Sequence, residues 1–526
     1  MKRVVAVVVA SASFAVAQPK SDPVKVVSPP MKGPPPETGA DITVPPAPSF
    51  EIATGADGRK TVQELRVHAK KHLGTLVEVE GTVTWVYNCV DALLKKGQTR
   101  AQIQKRIDRD PTQCERPKFF LGTTGRAPVE QSLWVVDVPR PPNKIEKARL
   151  PKDELAKWPA VPKVAVGDRV VVTGTFTQVS PHQERNSDGL VVFSAIAPAP
   201  AAITPGARIA PPDPPKVAVL ARKKIERHPK DVAAGRDSIR LGNECVRAYG
   251  QQQLDDAIAK CTAALTTWGG NHLAYYALAG AHMGKLDWAA ARDAMDQAIS
   301  LAPDEPMYLM FYGVASYEAA IATEKTAEAK RQGGDPAQVA IDPSKLDFSK
   351  ALGALQRAVQ IEPKLWRAHY YIGRIYRDTG FPKAAASALR ESISHGPTES
   401  GPFIALGELY RRWDHPKHAA EVALLGTARI SGYESADVWY VLGMTYDDQR
   451  DDRLAIQAFT QVLAADPIHA KALFQRGQVY VRQKERAKAK ADLEMFVKVG
   501  ANQPSLGFAL QQANRVLNDL AATRSR

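Results

Sequence analysis

The 526-residue sequence predicts a multidomain protein, a small five-stranded β-barrel followed by an all-α superhelix of paired helices. Three observations predict it. Apolar and polar residues alternate with period two in short runs between 51 and 197. A pattern of small and large residues recurs about every 34 residues from 216 to 526. Proline clusters at 18–50 and 198–215 set these regions apart as semi-rigid linkers. Hydrophobic residues make up 44% and charged residues 24%, which excludes fibrous and wholly disordered classes. The net charge of +14 is spread as +2 over 1–50, +6 over 51–200 and +6 over 201–526. No basic tail or block stands out, so nucleic acid is not an expected partner.

Residues 1–17 read as an export signal. Met1-Lys2-Arg3 is a positive start, Val4 to Val16 is almost wholly apolar, and Ala15-Val16-Ala17 is a small-x-small cleavage site. The apolar run is shorter than the roughly 20 residues a membrane span needs. The expectation is a periplasmic or secreted mature chain without a transmembrane span; the other reading is an uncleaved anchor. Ten prolines in 18–50 then deny the backbone donors that helix or sheet requires.

The β region is justified strand by strand. In Val77–Tyr87, Val77, Val79, Val83, Trp85 and Tyr87 share one face, while Glu78, Glu80, Thr82 and Thr84 take the other. Trp85 and Tyr87 are thereby expected in the core. Lys118–Gly122, Leu133–Val138, Arg169–Val179 and Leu190–Ala195 are the other four strands, and Thr61–His72 reads as a helix. Gly81 and Gly174 interrupt the two longest strands, where a closed barrel bends. Five strands with glycine-kinked first and fourth members resemble an OB-fold, through Gly81-Thr82-Val83 and Val166-Gly167-Asp168-Arg169-Val170. That resemblance implies a module for oligonucleotide, oligosaccharide or protein ligands and fixes none of them. Cys89 and Cys114 flank a polar insertion, Asp91–Pro111; they either close it as a disulfide or stand as unrelated thiols.

The helical region is justified by its period. With Ala436 as position 1, Trp439 is position 4, Leu442 and Gly443 are 7 and 8, and Tyr446 is 11. Ala455 is then 20, Phe459 is 24 and Pro467 is 32. This resembles the tetratricopeptide (TPR) pattern. Units opening at Gly235, His272, Pro306, Trp366, Ser400, Ala436 and Ala470 make seven. The Pro306 unit is split by an insertion around Ile321–Pro343, in which Gly333-Gly334-Asp335-Pro336 reads as a loop; the insertion is either a flexible protrusion or a partner contact. Lys216–His228 reads as a lone second helix, and Gly507–Ala521 as a solubilising cap. Cys245 and Cys261 fall on facing sides of the first helix pair, either as a disulfide or as two small buried hydrophobes.

The TPR resemblance further implies a right-handed superhelix whose groove is lined by positions 2, 5, 9, 12 and 13 of each first helix. On this chain those positions give Arg367, Tyr370, Arg374 and Arg377, then Glu408, Arg411 and Arg412. Tyr440, Met444, Lys471, Phe474 and Arg482 follow. Arginine forks bind carboxylates bidentately, so the groove is expected to capture acidic or C-terminal peptide segments of a protein partner. The opposing reading pairs these arginines with local carboxylates. Catalytic signatures fail. Gly280–Lys285 is one residue short of a phosphate loop. His68/His72 and His415/His418 lack further ligands for a metal. The sequence therefore predicts a non-enzymatic scaffold without cofactor or metal. The alternative is a protein whose barrel binds an oligosaccharide or other polymer while the repeats act as a docking adaptor.

Overall fold

A computed structural model describes residues 42–522, apart from 56–57, 95–97, 126, 128–130, 183, 200–207, 338, 340, 502 and 504–505. The export signal and most of the first proline-rich segment lie outside the described residues. The chain forms two compact units. One contains Pro212–Leu406 and Ala428–Ile430 together with residues 42–47. The other contains Pro48–Pro211, Gly407–Thr427 and Ser431–Arg526.

The second unit holds the sheet. Its strands are β2 (Lys60–Thr61), β3 (Leu76–Val86), β4 (Phe119–Gly122), β5 (Leu133–Val136), β6 (Arg169–Val179) and β7 (Arg185–Pro198). The order is β2-β3-β4-β5-β7-β6, and β3 also pairs with β6. The sheet has six strands rather than five and is not a clean barrel. The extra strand, β2, runs parallel to β3 and is too short to show alternation. A separate ribbon joins β1 (Ile52–Ala53) to β8 (Arg208–Ile209). Helices α1 (Val62–Val67) and α2 (Ala69–His72) split the expected single helix at His68. Val62 and Leu65 of α1 meet Val77, Val79, Val83, Leu121, Val172 and Phe176 in the sheet core.

Trp85 corrects the expected register. A bulge between Val83 and Trp85 shifts the pairing with β4 by one residue. A one-residue slip reverses side-chain faces. Val86 therefore packs against the core. Trp85 instead stacks on Phe120 at 4.6 Å, and Phe120 on Trp134 at 5.4 Å. The polar insertion folds as α3 (Cys89–Leu93) and α4 (Arg100–Arg109), the latter opened by a Thr99/Gln102 capping box. Cys89 and Cys114 are bonded, with Cα atoms 5.4 Å apart. Two short helices, α5 (Lys144–Arg149) and α6 (Lys152–Ala156), lie between β5 and β6.

The helical region is an array of seven helix pairs. The first helices are α7 (Val232–Gly250), α9 (His272–Gly284), α11 (Pro306–Gln332), α13 (Trp366–Asp378), α15 (Gly401–Arg412), α17 (Ser435–Asp448) and α19 (Ala470–Arg482). The second helices are α8 (Leu254–Thr267), α10 (Trp288–Leu301), α12 (Ser349–Ile361), α14 (Pro382–Ser394), α16 (Pro416–Thr427), α18 (Asp452–Ala465) and α20 (Arg486–Gly500). The last helix, α21 (Gly507–Ala522), closes the array. Position 8 must be small because the partner's large residue lies over it. A Cβ on Gly443 would sit 2.6 Å from the Phe459 ring. The turn between paired helices is left-handed at Gln252, Leu286, Gly380, Asp414, Arg450 and Lys484. That regular strain marks the same turn in successive repeats. Cys245 and Cys261 are bonded across α7 and α8, and both are fully buried.

The first helix of the split unit is longer than its repeat: α11 continues unbroken to Gln332 and stops at left-handed Gly333, where the loop expected at Gly333–Pro336 begins. Glu324, Glu328 and Arg331 pair along this extension at 2.6 Å, as i,i+3 and i,i+7 neighbours. Lys216–His228 is not a helix. It is an extended strap laid over second helices. The Leu220 amide donates to the Gly353 carbonyl at 3.0 Å, and the Ile225 amide to Ser300 at 2.8 Å. Val217 and Leu220 pack against the helical core. The described end of the first proline-rich segment is likewise pinned. Arg390 donates to the Pro45 carbonyl at 2.8 Å and the Val44 carbonyl at 3.2 Å. Phe50 is buried against Tyr410, Trp413 and His415.

Two outcomes test these contacts. A Cβ on Gly353 would lie 2.6 Å from the Ala218 carbonyl oxygen. Gly353→Ala therefore lifts the strap, and hydrogen exchange at the Leu220 amide accelerates at least about tenfold; unchanged exchange refutes the contact. The second concerns pH. Burial is the leading cause that lowers the pKa of His68, His72, His272, His369 and His415. The unfolded chain takes up these protons near pH 6.5, whereas the folded chain resists until lower pH. Their contribution to stability is complete above about pH 6.5 and falls on acidification below it. Thermal unfolding between pH 7.5 and 5.5 checks this, as a falling midpoint that His369→Phe diminishes.

Candidate functional site

The expected groove residues fall into two clusters, one in each unit. The first sits on α13. Arg374 donates to Glu318 of α11 at 2.8 Å. Its guanidinium lies 4.9 Å from the Tyr317 ring, 5.0 Å from Tyr371 and 5.7 Å from Tyr370. Burial opposes the charge on Arg374, but Tyr317, Tyr370, Glu318 and Tyr371 outweigh it and hold its pKa well above the ordinary value. Arg377 pairs with Asp378 at 2.9 Å, and the Tyr317 hydroxyl donates to Asp378 at 2.5 Å. Arg367 pairs with Glu399 and lies over the Trp366 ring. These side chains tie one first helix to its neighbours.

The second cluster repeats the logic. Arg411 donates to Asp448 at 2.8 Å. Arg482 pairs with Asp447, and with Asp452 at 2.6 Å. Burial raises the Asp448 carboxyl above its usual range, against the pull of Arg411. Gln131, beside β5, also reaches Asp448 at 3.5 Å, and Gln63 of α1 reaches the Trp413 carbonyl at 3.4 Å. Arg515 of α21 approaches Asp91 of α3 at 3.5 Å. The sheet domain thus rests on the C-terminal ends of first helices in its own unit. Met444 and Phe474 are core residues, 3% and 9% exposed. They are corrected from groove lining to packing. Tyr440 lies against Phe459 and His469. Glu408, Arg412 and Lys471 are exposed.

Arginines already paired with carboxylates are poor ligand forks, because capture would have to break an existing pair. The same repeat positions in the first unit differ. On α7, Arg236, Asn243 and Arg247 occupy positions 2, 9 and 13 and are exposed. Neither Arg236 nor Arg247 makes an ion pair among the described residues. Ile239 on α7 is 52% exposed, and Leu273 on the adjacent α9 is 49% exposed. The sequence carried this signal in the register of the Gly235 unit, which places Arg236, Asn243 and Arg247 at positions 2, 9 and 13.

No group of three or more metal-ligating side chains occurs among the described residues. His68 lies against Trp413 at 6.1 Å, and His72 approaches Glu64 at 3.5 Å. No helix among the described residues is long and apolar enough to cross a membrane.

The helix pairs, their period and their interhelical glycines define a repeat protein of the helix-turn-helix class. Within it, a tetratricopeptide repeat family model matches residues 246–306 and 440–498. The chain therefore carries tetratricopeptide repeats. No curated protein matches it. Among solved structures it is similar to YrrB, described as a TPR protein with an unusual peptide-binding site. The identity is 17%, the TM-score 0.30, and the match covers 42% of this chain and 99% of YrrB. It is also similar to PilF of Pseudomonas aeruginosa, at 16% identity and TM-score 0.30, covering 40% of this chain and 89% of PilF. PilW, a type IV pilus biogenesis factor, gives 16% identity and TM-score 0.34, covering 44% of this chain and 94% of PilW.

These pairs predict a contrast. Arg374 and Glu318 are only partly buried, 22% and 18% exposed, so losing their charge-assisted hydrogen bond costs about 1.5–3 kcal/mol. Arg374→Ala should lower urea-unfolding stability on that scale, because Glu318 is left uncompensated. Arg236→Ala should change it by less than about 0.5 kcal/mol. Equal effects of the two substitutions would contradict the distinction.

Proposed function

We propose that the chain is a non-enzymatic, exported scaffold that gathers protein partners in the cell envelope, with its mature part periplasmic or secreted. Its leader Met1–Ala17 and its paired cysteines support export. Partner capture falls to α7 and α9. The observation that carries this is the exposed, unpaired set Arg236, Asn243 and Arg247 beside exposed Ile239 and Leu273. Two guanidinium forks and an amide along one helix face suit an extended acidic or C-terminal peptide segment with an apolar side chain.

A second reading rests on the stacked Trp85, Phe120 and Trp134 of the sheet domain. The strand order, returning from β6 to β3, supports an OB-like module that holds an oligosaccharide or other polymer. Phe120 is only 1% exposed, which leaves little of the stack for a ligand. One experiment separates the readings. Crosslinking in native cells, followed by mass spectrometry, should recover protein partners through α7 and α9. Arg236→Glu with Arg247→Glu should reduce capture by at least about tenfold, in line with the loss of two charge-assisted contacts. Undiminished capture refutes the α7 site, and retained glycan without a protein partner moves the function to the sheet domain.

A further inference from the structure

The charge of the helical region is not spread evenly. Lys216, Arg222, Lys223, Lys224, Arg227 and Lys230 stand against a single acid, Glu226, between 216 and 230. That segment has a net charge of +5, whereas all of 201–526 carries +6. The chain-wide spread conceals this block.

The strap sorts its cations by side. Its arginines face the helices. Arg222 pairs with Asp296, donates to Ser300 at 3.1 Å and lies 5.9 Å from the Tyr312 ring. Arg227 donates to the Gly269 carbonyl at 3.1 Å and to Gln297 at 2.9 Å. Its lysines face outward. Lys223, Lys224 and Lys230 are exposed and make no ion pair among the described residues. Apolar side chains stand out between them: Val219 is 37% exposed, Ile225 48% and the following Val232 69%. The carboxylates nearby are few. Glu226 is exposed and approaches His228 at 4.0 Å, Asp231 accepts from the Ala234 amide at 2.7 Å, Asp304 pairs with Arg357 at 2.8 Å, and Glu305 is exposed.

This combination has a specific use. A guanidinium fork reads the geometry of one carboxylate or phosphate, whereas a lysine ammonium acts as a point charge indifferent to orientation. Here the forks are consumed in fixing the strap, and the point charges are presented. Exposed valine and isoleucine beside point charges suit a diffuse anionic plane with an apolar layer beneath it. We propose that the strap Val219–Val232 is a docking surface for an anionic lipid bilayer. The strap is pinned to α10 and α12 through Ser300 and Gly353, so its exposed lysines are held in place rather than ordered on contact. The proposal is independent of partner capture on α7.

Flotation of the full chain with lipid vesicles tests it. Neutral phosphatidylcholine vesicles set the baseline, including any binding by the apolar leader. Vesicles with about one third phosphatidylglycerol should bind more protein, and about 0.5 M salt should remove the increment. The triple variant Lys223→Glu, Lys224→Glu, Lys230→Glu should lose at least about tenfold of that increment. Ile225→Ser with Val232→Ser should weaken it severalfold while leaving its salt dependence. Glu226→Lys, which removes one exposed acid, should strengthen it. Circular dichroism confirms folding of each variant. Equal binding to neutral and anionic vesicles overturns the proposal, as does full binding by the triple variant. Lysine-dependent binding to polyglutamate, without any to vesicles, also overturns it and makes the strap a protein-binding site.

Discussion

No helix pair in this protein can bury its own apolar surface, and the rest of the architecture follows from that constraint. Phe459 fills the space against Gly443 within its pair. It also shares a cluster with Ala472 and Val479 of the next pair. Each pair is therefore stable only beside a neighbour, and stability accumulates along the array. The two ends need other solutions. One is the polar-faced α21, whose inner side packs with Leu473 and Phe496. Near the other end, a disulfide across α7 and α8 restrains a pair that, among the described residues, has a helix pair on one side only.

Polar side chains supply the register that apolar packing lacks. Hydrophobic contacts tolerate sliding, whereas Arg374 fits only where Glu318 and three tyrosine rings meet. Arg411 and Asp448 act similarly in the other unit. Burying such pairs adds little net stability over apolar packing. Their contribution is a fixed angle between consecutive first helices. Chemistry that looked like ligand recognition along the sequence is thus largely internal carpentry.

The sequence made the repeats legible because the period tests the same rule seven times. Small residues at 8 and 20 and large ones at 4, 11 and 24 leave one way to pair the helices. Non-local facts stayed hidden. The bulge at Val83–Trp85 leaves the alternation along the strand unbroken, so only the pairing with β4 separates Trp85 from the core residues it alternates with. The strap carries apolar residues at helical spacing, at Val217, Leu220 and Ile225. Four prolines just upstream and three consecutive cations at Arg222–Lys224 weigh against a helix there, and main-chain bonds to Gly353 and Ser300 favour the extended form. In the groove, register placed each arginine on the correct helix. It could not reveal the carboxylates opposite, because Glu318 and Glu399 lie far from Arg374 and Arg367 along the chain.

That pairing redistributes where recognition is possible. Along the first helices, a fork stays free where no neighbouring first helix supplies a carboxylate. On α7, the adjacent helix α9 presents Leu273 and Tyr276 instead of acids, so Arg236 and Arg247 remain open. The same economy governs the strap: its arginines are committed to Asp296 and Gln297, and its lysines are left over. Internal fit thus selects which cations face outward and of which kind. The forks that remain free lie on a helix face suited to a peptide, and the point charges lie on an extended ridge suited to a plane. Two chemically different surfaces arise within one unit, without any residue having to serve both.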